Sequence, residues 1–316
     1  MTYKVLAYYS IEPLETPLEE VAQHKEFFKT RDFKGRIYLS EQGINGQASG
    51  RADHADEYME WMRGRFPKMF FKVHLAEEHA YPKMTVKYRK QLVAVDCPVD
   101  FSLAGEHISP QEWKKMLENR DEETLLLDVR NDYEWKVGHF EGAELPQLET
   151  FRQFPEYAKK LKEQKDPKTT RVFMYCTGGI RCEYFSALMK QEGFENVYQL
   201  DGGVINYNLQ EGGDRWEGKL FVFDDRLVVP MGDGEPISSC SHCSQPHDVY
   251  FNCANMDCNQ LFICCSDCLR KHRGCCCSDC ESPPRVRPYQ EGGKPFRKWD
   301  YLEKCSFTKL KEKGAP

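Results

Sequence analysis

Cys176 and Arg181 frame the segment of this 316-residue chain best equipped for chemistry. Between them lie Thr177, Gly178, Gly179 and Ile180, so the stretch reads CTGGIR. Before it, RVFMY has the pattern of a short buried strand. After it, Phe185, Ala187, Leu188 and Met189 are apolar at helical spacing. A loop running from a strand into a helix turns its backbone N–H groups inward and adds the positive end of the helix dipole, which makes a nest for an anion. The two glycines let the backbone curl closely around the cysteine sulfur. With Arg181 nearby, this setting should lower the thiol pKa and hold Cys176 as a thiolate or persulfide. Cys182, on the helix that follows, is either a thiol able to resolve an oxidised Cys176 or a small core residue.

A second concentration of reactive groups lies further on. Of 15 cysteines, 11 fall between Cys240 and Cys280. The amino end, MTYKVLAYYSIEPLE, has no basic segment followed by a long apolar run, so no signal peptide is expected. The expected setting is therefore a reducing cytoplasm, with thiolates bound to metal rather than paired in disulfides. Zinc takes four thiolate or imidazole ligands in a tetrahedron, and a segment this short and polar needs such a staple to fold. The four cysteine groups fit two sites. One would use Cys240, Cys243, Cys265 and Cys268, and the other Cys253, Cys258, Cys277 and Cys280, giving about two structural zinc ions. Closed all-thiolate sites leave no open position for water. Net charge is −6, so any polyanionic partner has to meet a local patch. No apolar run approaches the roughly 18 residues of a membrane span, and no membrane partner is expected.

The elements that must position these groups divide by pattern into three regions. Residues 1–97 alternate strand and helix: KVLAYYSI as strand, PLEEVAQHKEFFKTRD as amphipathic helix, GRIYLSEQGINGQASG as two strands around a turn at Gly43 to Gly46, then DEYMEWMRGRF as helix. FKVHL and MTVKYRKQLVAV supply further strands. The βαββαβ order predicts a ferredoxin-like or acylphosphatase-like α+β domain. Residues 108–212 read as α/β. There SPQEWKKMLENR has Ser109 as N-cap and Pro110 at the first helical position. TLLLDVR, RVFMY and NVYQLDGG are strands of a mostly parallel sheet, and SALMKQEG is a helix stopped at Gly193. Residues 213–316 hold the cysteines and a basic, aromatic tail.

DVRNDYEWKVGHFEGA, CTGGIRCE and VYQLDGGVINY, in that order, resemble a rhodanese domain. The resemblance implies that Cys176 carries a persulfide cradled by the loop and that Arg181 closes it. It also implies that Asp128, Arg130, Glu134 and His139 buttress the loop. Four residues separate Cys176 from Arg181, the sulfur-sized loop; the related phosphatases have one more. Taken with SEQGINGQASG in the front region and the cysteine-rich end, the whole chain resembles the rhodanese-domain tRNA uridine hydroxylase family. That implies oxygen-dependent conversion of a wobble uridine to 5-hydroxyuridine, with molecular oxygen as co-substrate and the anticodon arm of tRNA as partner. The central region alone would imply a sulfurtransferase passing persulfide sulfur to an acceptor, and a non-enzymatic scaffold would not need Cys176 and Arg181 intact. No flavin or nicotinamide motif is visible. For RNA, the tail PPRVRPYQEGGKPFRKWDYLEK interleaves aromatic residues with Arg285, Arg287, Arg297 and Lys298, a pattern able to neutralise phosphates and stack on unpaired bases.

Overall fold

A computed structural model describes residues 2–232, 234–282 and 284–289. The chain forms two compact units, one built from 2–135, 139–216 and 222–226, the other from 136–138, 217–221 and the described residues from 227 onward.

The first unit contains both the front and the central regions. The front contributes β1 (Tyr3–Ser10), α1 (Pro17–Phe27), β2 (Phe33–Ser40), β3 (Gly43–Arg51), α2 (Ala52–Arg63), β4 (Lys72–Ala76) and β5 (Met84–Tyr88). Their sheet has the order β4-β1-β3-β2-β5, antiparallel except where β5 joins β2 in parallel. This is the expected acylphosphatase-like α+β arrangement. The strands alternate with a period of two. Leu6, Tyr8, Ile37, Leu39, Ile44 and Ala48 enter a core shared with Val21 of α1 and Tyr58 and Met62 of α2. The alternate residues form the other face, where Tyr9 pairs with Asn45 and Asn45 with Tyr38. One step along, Ala7 pairs with Gln47 and Gln47 with Arg36. One expectation is corrected. The β2–β3 turn is not at Gly43 to Gly46, because Ser40 already pairs with Gly43 and the chain reverses at Glu41 and Gln42. Gly46 serves packing instead, since a Cβ there would stand 2.1 Å from the ring of Tyr8.

The central region supplies β6 (Glu106–Ile108), α3 (Pro110–Glu118), β7 (Thr124–Asp128), α4 (Asp132–Trp135), β8 (Gly138–Phe140), α5 (Phe154–Gln164), β9 (Arg171–Tyr175), α6 (Ile180–Gln191), β10 (Asn196–Leu200) and α7 (Gly203–Glu211). Its four-stranded sheet has the order β6-β10-β9-β7, with every pairing parallel. Both faces are covered, α3 packing with α7 and α5 with α6. Ser109 caps α3 as read, in a capping box with Glu112. β9 is an inner strand, so Cys176 emerges at the carboxyl end of the sheet, where parallel α/β folds build their sites. Beyond the strand, α6 is buried from Arg181 to Met189, on every side rather than along one stripe. Just past β7, Asp128 and Arg130 are both fully buried and paired, Nη2 donating to Oδ2 at 2.6 Å.

The second unit has little regular structure. Its described residues contain two short antiparallel ribbons, Leu220–Phe221 with Val228–Val229 and Tyr250–Asn252 with Leu261–Ile263, one α-helix, Ser266–Lys271, and a 3-10 turn at Ser278–Cys280. Around the second ribbon its small core is Phe251, Ala254, Phe262 and Leu269 together with five buried cysteines, so the cysteines make up much of the interior. No helix among the described residues is long and apolar enough to cross a membrane.

Removing one member of a buried ion pair strands the other charge away from water. Asp128→Ala should therefore cost about 3–5 kcal/mol of folding stability, read as a lower urea midpoint with an unchanged slope.

Candidate active site and metal centres

The Cys176 sulfur is fully buried at the foot of α6. The backbone N–H of Gly179 donates to Sγ at 3.1 Å. Burial alone would raise the thiol pKa. It is outweighed by a hydrogen bond from the Cys182 thiol, the charge of Arg181, and the backbone N–H groups of Cys182 and Gly179, which together bring Cys176 down to about 5. Cys182 moves the opposite way, pushed well above the ordinary thiol range by burial and by the neighbouring thiolate. Cys182 is thus one of several groups that favour the Cys176 anion, which its sequence position leaves undistinguished from plain core packing.

The loop is held from several directions. Gly179 has φ +101°, and a Cβ there would stand 2.9 Å from the hydroxyl of Tyr9, so glycine is required at 179. Gly178 carries no such requirement, since a Cβ there meets nothing within 4 Å. What crowds the loop is therefore Tyr9 at one position, rather than the sulfur at two. At the start of α7, Val204 N–H donates to the Cys176 carbonyl and Ile205 N–H to that of Thr177, both at 3.0 Å. Gly203 allows this approach, because a Cβ there would lie 2.6 Å from the Cys176 carbonyl oxygen. The DGG segment earns its place through that contact.

Arg181 is buried and bonded within the loop. Its guanidinium makes a two-point pair with Glu134 (2.5 and 2.8 Å), and Nη2 also donates to the Thr177 hydroxyl, which in turn donates to Glu134. The planar fork fixes the loop's far end. Of the remaining buttresses, Asp128 and Arg130 hold each other, and His139 Nδ1 bonds the Trp135 carbonyl at 2.9 Å. Ile180 begins α6 and, with Thr177, Gly178 and Arg181, lines the space in front of Cys176.

That space is a cavity of about 230 Å³ whose opposite wall comes from the front region's sheet. Tyr9, Arg36, Tyr38, Asn45, Gln47 and Lys72 line it. None of these was singled out from the sequence. Lys72 is 2% exposed and donates from Nζ to the Gly178 carbonyl at 2.8 Å. Burial lowers its pKa to about 8, against the opposing pull of Cys176, Asp201 and Glu183. Tyr9 donates to Glu183 Oε1 at 2.8 Å, and His107 lies between Asp201 and Glu183, which raise its pKa to about 10.

In the second unit, two groups of four sulfurs converge, each within 4.8 Å of one another and each able to hold a metal ion. One is the expected set, Cys240, Cys243, Cys265 and Cys268. The other is Cys253, Cys258, Cys276 and Cys280, so the expectation of Cys277 is corrected: Cys277 is exposed and outside the group. The reason is a repeated local geometry. Cys265 N–H donates to Cys240 Sγ and Cys276 N–H to Cys253 Sγ, both at 3.4 Å. In each case the ligand follows a buried cysteine, Cys264 or Cys275. The repeated CCSDC, at 264–268 and 276–280, aligns Cys277 with Cys265, so the sequence pattern points away from Cys276.

Of the four tail residues read as RNA-binding, Arg285 and Arg287 fall within the described residues. Arg287 is buried at 4% exposure, donating to the Cys253 carbonyl and to Asn259 Oδ1, and Arg285 pairs with Asp257 Oδ1. The backbone of this segment bonds to Ala254 and Met256, which turns both side chains back onto the cysteine-rich fold. Arg297 and Lys298 lie outside the described residues.

Sheet, loop and buttresses together define a rhodanese domain behind an acylphosphatase-like one. Family models agree: "UPF0176 acylphosphatase like domain" matches residues 3–92, "Rhodanese-like domain" 109–210 and "Rhodanase C-terminal" 217–281. A tRNA uridine(34) hydroxylase of Chlamydia abortus is 54% identical over 322 residues, covering 99% of this chain and 97% of its own. One of Protochlamydia amoebophila is 55% identical over 314 residues (97% and 98%), and one of Chlamydia pneumoniae 54% over 305 residues (94% and 93%). The chain belongs to the tRNA uridine(34) hydroxylase family, a family of enzymes.

The metal assignment separates two adjacent cysteines. Cys276→Ser should lose one of two bound metal equivalents by elemental analysis, while Cys277→Ser keeps both.

Proposed function

We propose that this chain is an oxidoreductase that hydroxylates the wobble uridine of tRNA at C5, with Cys176 as the reactive group. The observation that carries the reading is a buried thiolate facing a cavity, in a chain whose full-length relatives bear the name tRNA uridine(34) hydroxylase. A thiolate at neutral pH is a nucleophile without needing a separate base. Its addition to C6 of the uracil would form an S–C6 bond and move an electron pair towards C5 and O4. C5 then becomes an enolate carbon able to attack molecular oxygen, giving a C5 hydroperoxide. The cationic Lys72 on the cavity wall suits the charge that develops on the oxygen. Two electrons and two protons from an external thiol-class reductant remove the outer oxygen of the hydroperoxide as water, and loss of the C5 proton expels the thiolate from C6. The target base must leave the anticodon loop to reach a buried sulfur, and an unpaired loop base leaves its stack at little cost. The same sulfur could transfer a persulfide, but the names of the relatives favour hydroxylation.

Structural zinc fits the two four-cysteine groups. Zn–S bonds of about 2.3 Å in a tetrahedron set S···S edges of roughly 3.8 Å. Cys243 and Cys265 stand 3.8 Å apart, Cys258 and Cys276 3.7 Å, and Cys276 and Cys280 3.9 Å. Four thiolates close the coordination sphere, so the ions supply folding energy to a unit with little other core.

Cys176→Ser is nearly isosteric, but its hydroxyl titrates far above neutral pH. Transfer RNA from cells carrying only that variant should lack 5-hydroxyuridine derivatives by nucleoside mass spectrometry, while the purified variant melts like wild type. Substantial 5-hydroxyuridine would remove Cys176 from the chemistry.

A further inference from the structure

The wall facing Cys176 has a chemistry of its own, and resting on the hydroxylase reading we propose that it selects the base. Lys72 and Gln47 on the front region's sheet recognise a single uracil ring by donating hydrogen bonds to its carbonyl oxygens, and so exclude cytosine.

Gln47 stands on β3 directly across from Ala7, and Ala7 is also opposite Lys72 on β4. The two side chains therefore flank one small residue on the same sheet face. Alanine between them leaves a hollow rather than a ridge. Gln47 Oε1 already accepts from the Tyr81 hydroxyl at 3.2 Å, so the amide presents its N–H donors elsewhere. Lys72 spends one of three ammonium donors on the Gly178 carbonyl, and an ammonium has no acceptor to offer. Both groups thus offer donors.

Size and charge limit what can meet them. The cavity, about 230 Å³, is smaller than the roughly 300–1,000 Å³ clefts that enclose drug-sized ligands. It suits one ring rather than a run of nucleotides. Uracil presents acceptors at O2 and O4, whereas cytosine replaces the O4 acceptor with an amino donor. A cytosine in the same pose would set donor against donor with water excluded, which leaves buried polar groups unpaired. Tyr38 and Asn45, in the next cross-strand row, provide a ring face and an amide beside that position. Arg36, exposed at the cavity and without an ion-pair partner among the described residues, suits a flanking phosphate.

The test uses full-length protein and two anticodon stem–loop RNAs that differ only in U or C at the wobble position. Binding is followed by fluorescence anisotropy at fixed salt. Wild type should prefer the U-containing RNA by about tenfold or more. Gln47→Leu, which removes the donor facing O4, should bring the ratio close to one, whereas Lys72→Met, which removes the donor to the O2 that both bases carry, should weaken both RNAs alike. Gln47→Leu keeps the Lys72–Gly178 contact, so it reports on the wall even if Lys72→Met disturbs the loop. No U preference in wild type, or a preference unchanged in Gln47→Leu, overturns the proposal. A wild-type protein that hydroxylates uridine while Gln47→Leu keeps its preference sinks the wall and spares the hydroxylase. U preference lost in Gln47→Leu, with no 5-hydroxyuridine ever formed by wild type, does the reverse.

Discussion

A buried thiolate has to be held against its own desolvation, and the first unit is arranged around that constraint. Taking an anion out of water raises its pKa, and at Cys176 burial is the largest single influence. The thiol nevertheless lies near 5 rather than 9. That difference corresponds to stabilisation of the charged form on the order of 5 kcal/mol, at about 1.4 kcal/mol per pKa unit. Each contributor is local to the loop: a thiol, a guanidinium and two backbone N–H groups. The loop carbonyls are in turn tied by Lys72 and by the start of α7, so few of its polar groups are left to collapse onto the sulfur.

The same constraint explains why the front region packs into one unit with the rhodanese region. Lys72 is a buried ammonium, and burial lowers its pKa to about 8. Its nearby anions include Cys176, so ammonium and thiolate relieve each other's desolvation. Between about pH 5 and pH 8 both groups carry their charge. Below that range the thiolate is lost, and above it the ammonium is lost. Asp201 and Glu183 add to the pull on the ammonium, while its hydrogen bond goes to the neutral carbonyl of Gly178.

Much of this was legible in the chain. RVFMY followed by CTGGIR placed the strand, the sulfur and the helix start correctly, because a buried parallel strand, a glycine at positive φ and a helix onset each leave a local mark. Ser109 and Pro110 marked the start of α3 for the same reason. Lys72 and Tyr9 left no such mark. Each is one alternate residue on an ordinary strand, and Lys72 meets Gly178 across 106 positions of sequence. Cys276 was hidden by its neighbours, since in a run of three cysteines spacing alone does not say which thiol points inward. Arg287 fits RNA binding by composition, while its backbone pairing turns the guanidinium onto Cys253 and Asn259.

Cys176 is a thiolate held by the donors around it. The direct measurement is the pH dependence of its alkylation by iodoacetamide, followed on the Cys176 peptide by mass spectrometry. The reactive form should appear as pH rises through about 5. In Cys182→Ala the midpoint should move upward, because a donor to the anion is gone. A wild-type midpoint near the ordinary thiol value of about 8.5, unmoved by Cys182→Ala, would contradict the account.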